Sequence, residues 1–515
     1  MEVFSQLDAL LKTQYLAKPS KSPNAASRLV ELGTPSTSIA ILDNGVIHSH
    51  CVSSVLDDES TLFQACSISK PITALAVFRL IDQGKLSLHT SISNYLAPGE
   101  IEILETKETA GLAKYITISS LLSHTSGLGT HGFPGYSSQN SSDATYASGG
   151  EDLPSTSTVI AGELPTNTLP IILEDWPGHR FCYSGGGITV LQLILERITG
   201  LPFETIILQN VLEPLDMRRS RYAPPSAEDV NGLLDPQRQG KGNFSRAYYT
   251  GICPCEDPHR INPELAAAGL WTTPEDLLKA GRSIQMSLVG VPGAFLSMTS
   301  ARVMLTEVQD SVAHGWFVPK EPFPMFMHAG SNMPGWECNL VCYTDFDSQN
   351  NESMTLLVKD TVQADILKNC GIAIMTNSEK GVTVYNKIMS AICYFKCWPL
   401  PSMPQVSTHV TVPFAVMDKI VHPTWVEWQG KWEGGWVLLE KDGLPHMMFM
   451  EMPPVRLQSA AQPQETPGNL DLVAVGLEIM FRLRKESSTG SNGVSQTIEI
   501  WSGSRGDKHL IQRVK

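Results

Sequence analysis

The stretch Phe63-Gln64-Ala65-Cys66-Ser67-Ile68-Ser69-Lys70-Pro71 places a hydroxyl and an amine three residues apart, ahead of an apolar run from Ile72 to Gln83. On a helix, positions i and i+3 share one face, so the Lys70 amine can reach the Ser67 hydroxyl. A serine hydroxyl becomes a good nucleophile when a neighbouring base takes its proton. A helix that begins near Ser67 would also direct its amide dipoles at negative charge developing there. The stretch therefore predicts a nucleophile, a base and part of an oxyanion site.

The composition limits the class of protein. The 515 residues are 42% hydrophobic and 17% charged, which is ordinary for a globular chain long enough for two or three domains. A net charge of -14 argues against nucleic-acid binding, which needs a basic surface. The N-terminus lacks a signal-peptide pattern and no run approaches about 20 apolar residues, so we expect a cytoplasmic protein without a membrane span. The ten cysteines have no Cys-x-x-Cys spacing, which predicts reduced, mostly buried thiols and no metal site.

Three regions of the chain differ in their sequence pattern. They are a first domain at residues 1–400, a Pro- and Ser-rich linker at 400–420 and a C-terminal domain at 421–515. In the first domain we expect helical segments at about 75–320, and Asn44-Gly45 between two apolar runs predicts a β-hairpin. The Ser-, Thr-, Gly- and Asn-rich stretch 129–165 predicts a surface excursion or lid. Short alternating runs broken by turns predict an antiparallel β structure for the C-terminal domain.

Four motifs follow one another along the first domain. They are Ser67-Ile68-Ser69-Lys70, Leu121-Leu122-Ser123-His124-Thr125-Ser126-Gly127-Leu128, Tyr183-Ser184-Gly185 after Pro177-Gly178, and His328-Ala329-Gly330-Ser331-Asn332 ahead of Gly335-Trp336. In this order they resemble the serine β-lactamase-like family, which includes class C β-lactamases, low-molecular-weight penicillin-binding proteins, esterases, D-aminopeptidases and acyltransferases of the lovastatin-pathway type. The resemblance covers roughly residues 30–380. It implies a β-lactamase/transpeptidase-like α/β (α+β) fold, in which helices flank a central antiparallel sheet beside an all-helical subdomain, and we expect the C-terminal β domain to be a lipocalin-like barrel.

The resemblance also implies roles for individual residues. Ser67 would be the acylated nucleophile, activated by Lys70 and Tyr183; either a neutral Lys70 or a phenolate beside the Lys70 ammonium could take the proton. The backbone N–H groups of Ser67 and Ser331 would form the oxyanion hole. The substrate-binding positions would be His328, Ala329, Gly330, Gly185 and Trp336. We expect His124 to make structural hydrogen bonds, and core packing is the alternative role for Trp336.

Two departures from the penicillin-recognising members narrow the range of reactions that we expect. Gly185 stands where those members carry an asparagine, and His328-Ala329-Gly330 stands where they carry Lys-Thr-Gly, so a permanent ammonium for the β-lactam carboxylate is missing. We expect an acyl-serine ester hydrolase or acyltransferase that takes a small-molecule acyl donor of the natural-product type and passes the acyl group to water, to an acceptor or to a carrier protein. The alternatives are a D-aminopeptidase-like or amide-forming enzyme and, from another class, a non-catalytic scaffold. The resemblance implies no metal or organic cofactor.

Overall fold

The computed structural model describes residues 2–12, 24–105, 112–137, 153–173, 177–178, 181–222, 243–257, 259–345, 369–401, 423–449, 455–459, 470–474, 479–487, 494–502 and 508–514. By their contacts, the residues divide into two compact units, Met1–Ser402 and Met403–Lys515. Nearly all of the predicted linker at 400–420, and positions 138–152 of the predicted excursion, lie outside the described residues.

The first unit contains both helices and strands. Its helices are α1 (Glu2–Lys12), α2 (Ala25–Glu31), α3 (Ser69–Asp82), α4 (Pro98–Ile103), α5 (Ile118–Leu122), α6 (Thr156–Ala161), α7 (Gly185–Thr199), α8 (Phe203–Ile207), α9 (Leu265–Ala268), α10 (Pro274–Leu288), α11 (Met298–Leu305) and α12 (Gly381–Lys396). Its strands are β1 (Ser36–Asp43), β2 (Val46–Ser53), β3 (Phe63–Gln64), β4 (Tyr136–Ser137), β5 (Tyr248–Thr250), β6 (Cys253–Pro254), β7 (Arg260–Ile261), β8 (Trp271–Thr272), β9 (Met325–Asn332), β10 (Trp336–Tyr343) and β11 (Gly371–Thr376).

The main sheet of this unit is antiparallel, with the strand order β2-β1-β11-β10-β9. β1 is buried along almost its whole length, as expected of a strand in a sheet that is covered on both faces. It turns into β2 at Asn44 and Gly45, whose φ angles of 49° and 78° suit the tight hairpin that the Asn-Gly pair predicts. β9 lies at the edge of the sheet, where it contacts the turn that carries Ser67.

Helices cover both faces of this sheet. Gly281 of α10 lies against the Cys342 side chain, and Gly381 of α12 lies against the Glu337 side chain. Residues 337 and 342 of β10 point to opposite faces because side chains alternate along a strand. α3 is buried along most of its length and packs against α8, α9 and α11, as expected of a helix that is apolar on all sides. The predicted architecture of a flanked antiparallel sheet with a helical subdomain is confirmed.

The second unit is a single antiparallel sheet of eight strands in sequential order. The strands are β12 (Gly430–Trp432), β13 (Trp436–Lys441), β14 (Leu444–Phe449), β15 (Val455–Ser459), β16 (Leu470–Ala474), β17 (Ile479–Ser487), β18 (Val494–Ser502) and β19 (Lys508–Gln512). Trp432 pairs with Arg513, so the first and last strands meet and the sheet closes towards a barrel, as predicted. Trp425, Trp428 and Trp432 belong to its apolar core. In the described parts of the chain, no helix has the length and apolar character needed to cross a membrane.

Candidate active site

Ser67 lies in a single turn of 3-10 helix, Cys66–Ile68, that leads directly into α3. Cys66 has a φ of 52°, in the left-handed region that is unfavourable for a residue with a β-carbon. Ser69 holds the turn, because its hydroxyl donates to the Cys66 carbonyl at 2.6 Å and accepts from the Leu270 N–H at 3.0 Å. Cys66 and Ile68 are fully buried, whereas Ser67 is half-buried. The backbone thus turns the Ser67 hydroxyl out of the core.

The Lys70 amine lies beside Ser67, as the spacing predicts. Its Nζ is 3.0 Å from Ser67 Oγ and donates to the Ala267 carbonyl at 2.9 Å. The side chain is buried, and burial lowers the pKa of Lys70 from 10.5 to about 7. No carboxylate of the described residues contributes to this shift. Lys70 is therefore within reach of the Ser67 proton and is partly neutral at neutral pH.

Tyr183 completes the group. Its hydroxyl is close enough to the Ser67 side chain to interact with it, and Lys70 Nζ lies 4.9 Å from the centre of its ring. Tyr183 immediately precedes Ser184, which caps α7 by accepting a hydrogen bond from the Gly187 N–H at 2.8 Å. Burial raises the pKa of the Tyr183 phenol well above its usual range. The structure thus brings Ser67, Lys70 and Tyr183 together, with the phenol protonated.

His124, from the Ser-His-Thr-Ser-Gly motif, lies behind Tyr183. Its ring centre is 4.5 Å from that of Tyr183, and its Nδ1 accepts a hydrogen bond from the Ser184 N–H at 3.2 Å. Burial, reinforced by the charge of Lys70, holds the pKa of His124 well below its usual range. A neutral His124 therefore supports Tyr183 and the start of α7, in agreement with the structural role expected from the sequence.

His328, on β9, lies near the cluster of Ser67, Lys70 and Tyr183. Its Nδ1 lies 2.6 Å from the Ala329 carbonyl, which can only accept, so Nδ1 carries the proton and Nε2 is the bare nitrogen. Nε2 is buried and has no hydrogen-bond partner among the described residues. Burial, with Lys70 as the second cause, lowers the pKa of His328 to about 3. The ring lies 6.3 Å from that of Tyr183, so His328 is a neutral hydrogen-bond acceptor at this site.

Gly330 allows β9 to lie against the Ser67 turn. A β-carbon at this position would lie 2.6 Å from the Ala65 carbonyl oxygen and 2.9 Å from the Cys66 β-carbon. The family resemblance implies a substrate-binding role for Gly330. The structure instead shows that the close neighbour is the protein backbone.

The side chains of Ala329 and Ser331 point away from the face of β9 that lies against the Ser67 turn. They alternate with Gly330 along the strand, and the Ser331 hydroxyl donates to Glu337 Oε1 at 2.7 Å. Any part that Ala329 or Ser331 plays at the site therefore comes from its backbone.

Trp336 does not line the site. It is fully buried, with its ring 5.5 Å from Trp271 and 6.1 Å from Phe63, both edge-on. An enclosed side chain of this kind cannot contact a substrate, so its prediction as a substrate-binding residue is wrong and the alternative of core packing holds.

Gly185 lies at the start of α7, but the space beside it is occupied. A β-carbon there would lie 2.9 Å from Phe133 Cε2 and 3.0 Å from the His131 carbonyl oxygen. The same segment carries the His131 imidazole, whose centre is 4.8 Å from that of Tyr183. Sequence reasoning missed His131, because the segment 129–137 shows only a loop-like composition. Within the described residues, no group of three His, Cys, Asp or Glu side chains forms a metal-binding arrangement.

The Beta-lactamase family model matches residues 18–387. The chain belongs to the beta-lactamase family. Among curated members, Protein Rv1367c of Mycobacterium tuberculosis (strain ATCC 25618 / H37Rv) is 30% identical over 258 residues, which are 48% of this chain and 59% of that protein. Esterase EstB of Burkholderia gladioli is 30% identical over 247 residues, 44% of this chain and 58% of that protein. The chain thus aligns with less than two thirds of the length of these beta-lactamase relatives.

Solved structures of the beta-lactamase fold extend over more of the chain. The crystal structure of SurE has a TM-score of 0.52 at 16% identity and covers 95% of this chain and 98% of its own. The octameric penicillin-binding protein homologue from Pyrococcus abyssi has a TM-score of 0.52 at 16% identity, with coverages of 94% and 97%. D-amino acid amidase from Ochrobactrum anthropi SV3 has a TM-score of 0.50 at 14% identity and covers 77% of this chain and 100% of its own. At these identities the likeness concerns the fold alone.

Proposed function

We propose that this protein is an acyl-serine enzyme that cleaves esters of small molecules through Ser67. The observation that carries the proposal is the 3.0 Å hydrogen bond between Lys70 Nζ and Ser67 Oγ beside the Tyr183 phenol, with the pKa of Lys70 at about 7. At neutral pH a large share of Lys70 is neutral and can accept the Ser67 proton across 3.0 Å. Tyr183 stays protonated, because its pKa is raised. Of the two bases that the sequence left open, these protonation states favour Lys70.

The proposed reaction begins when Ser67 Oγ bonds to the ester carbonyl carbon and its proton moves to Lys70 Nζ. The Tyr183 phenol then gives its proton to the departing alkoxide and regains one from Lys70. The N–H groups of Ser67 and Ser331 would hold the oxyanion, and one such donor contributes about 3 kcal/mol in serine enzymes. The position of β9 as an edge strand against the Ser67 turn supports this assignment. Water, an acceptor alcohol or a carrier-bound group would release the acyl chain by the reverse path.

The charges at the site favour an ester over an amino-acid amide. No carboxylate of the described residues is among the groups that shift the pKa values of Lys70, Tyr183 or His328. A substrate with an α-ammonium would therefore meet Lys70 without a compensating negative charge. His328 is neutral, so a β-lactam carboxylate would lack a permanent cation at this position. The similarity to Esterase EstB supports the same substrate class.

Intact-protein mass spectrometry after exposure to p-nitrophenyl esters and acyl thioesters tests the proposal. Wild type should gain the mass of one acyl group, and Ser67→Ala should gain none. Ser390→Ala, which removes an exposed hydroxyl on α12, is the matched control and should acylate like wild type. An equal adduct on Ser67→Ala, or no adduct on wild type, would refute the proposal. Faster turnover of D-phenylalanine amide than of the corresponding ester would favour the amidase alternative.

A further inference from the structure

The segment from Gly129 to Phe133 is tied to the start of α7. The Ser184 hydroxyl donates to the Gly129 carbonyl at 2.9 Å, and the Gly186 N–H donates to the Thr130 carbonyl at 3.0 Å. On its other side, the Gly129 N–H donates to the Ile172 carbonyl at 2.9 Å. The backbone of this segment is therefore held in a definite position beside Tyr183.

The absence of a side chain at Gly185 makes this position possible. A β-carbon at Gly185 would lie 3.0 Å from the His131 carbonyl oxygen and 2.9 Å from Phe133 Cε2, closer than side chains pack. Any larger residue at 185 would push the segment away from α7. Because Gly185 has no side chain, the neighbouring segment can lie against α7 and contribute one of its own side chains there.

That side chain is His131. Its imidazole lies 4.8 Å from the Tyr183 ring at an angle of 48°, while His124 lies 4.5 Å from the same ring. His124 is buried, whereas His131 is exposed, so His131 is on the solvent side of the site. A substrate that reaches Ser67 beside Tyr183 would meet this imidazole.

We propose that His131 is a specificity-determining residue, and that it selects esters carrying a hydroxyl or amide group a few bonds from the scissile carbonyl. An imidazole offers one donor and one acceptor when neutral, which suits both groups. The glycine at 185 lets His131 supply this contact from a neighbouring segment. This inference rests on the proposed ester cleavage at Ser67.

Two matched pairs of esters test the inference. In one pair the acyl part carries a hydroxyl or a hydrogen at the same carbon, and in the other pair the alcohol part does. Wild type should prefer the polar member of at least one pair in kcat/KM, and His131→Ala should reduce that preference by roughly tenfold, as expected for the loss of one hydrogen bond. His131→Gln keeps a donor and an acceptor and should retain most of the preference. His89→Ala, at an exposed histidine of the loop after α3, should leave it unchanged.

Gly185→Ala provides an independent variant, because it should displace His131 without removing it and should reduce the same preference. The inference fails if wild type shows no preference in either pair, or if His131→Ala leaves the preference intact. It also fails if His131→Ala lowers kcat/KM equally for both esters of each pair, which is the result expected of a purely structural role. In each of these cases the acyl adduct on wild-type Ser67 would still form, whereas its absence would mean that the proposed function itself has failed.

Discussion

The titration of Lys70 should control the rate of acylation. Burial lowers the pKa of this amine from 10.5 to about 7. At pH 7, the share of neutral lysine therefore rises from about one molecule in three thousand to about one half. If neutral Lys70 takes the Ser67 proton, kcat/KM should rise about tenfold per pH unit below pH 7 and level off above it. The raised pKa of Tyr183 means that its ionisation adds no second change near neutrality.

Lys70→Arg is the perturbation that isolates this step. A guanidinium keeps the positive charge and can still donate to Ser67 Oγ, but its pKa above about 12 prevents it from accepting a proton. We expect acylation to fall by roughly 100- to 10,000-fold, the usual contribution of a general base. The assay is the initial release of p-nitrophenol from an activated ester between about pH 5.5 and 9.5, a range that brackets the expected inflection.

The shape of that profile can refute the assignment. A rate that is flat through pH 7 and rises only towards the usual lysine value would mean that Lys70 stays charged in the free protein. Full activity of Lys70→Arg would mean that the amine serves only as a charge. Either result would shift the role of base to Tyr183, with Lys70 stabilising its phenolate.

Three further substitutions test the packing of the site. Lys70→Met should raise the free energy of unfolding at pH 7 by on the order of a few kcal/mol. Between pH 7 and 10.5 the folded wild type binds fewer protons than the unfolded chain, so the free energy of unfolding of wild type should rise with pH. The difference in unfolding free energy between Lys70→Met and wild type should therefore shrink as the pH rises. Urea denaturation that gives the same difference at about pH 7 and 10 would contradict this. Gly330→Ala should destabilise the fold by about 1–3 kcal/mol and lower kcat, because its β-carbon would collide with the Ala65 carbonyl that precedes the Ser67 turn; a wild-type p-nitrophenol burst would contradict it. Trp336→Leu should cost about 2–4 kcal/mol of unfolding free energy with little change in KM, and a large rise in KM would restore a role in an acyl pocket.

Local signals in the sequence predicted those features that depend on near neighbours in the chain. The Asn44-Gly45 hairpin follows from turn chemistry, and the reach of Lys70 to Ser67 follows from the helical repeat. Thr273 caps the start of α10 and Gly200 the end of α7, as these residue types commonly do. Each of these inferences needs only a few consecutive residues.

Features that depend on distant parts of the chain were not predictable in this way. Trp336 has the same sequence context whether it faces a substrate or Trp271 and Phe63, and only the packing of β10 against β3 and β8 decides between them. His131 lies in a segment with no periodic pattern. Its place beside Tyr183 depends on the clearance at Gly185, a position distant in the sequence.

Burial is the largest cause of the protonation states throughout the site. It disfavours every charged form, and so it lowers the pKa values of Lys70, His124 and His328 while raising that of Tyr183. Among the described residues no carboxylate opposes this effect at Lys70, Tyr183 or His328. The amine is therefore the one group of the four with a pKa near neutrality, which makes it the natural base at physiological pH. A substitution that admits water to this pocket should raise the pKa of Lys70 and lower that of Tyr183 together, and would reduce activity without removing any reacting group.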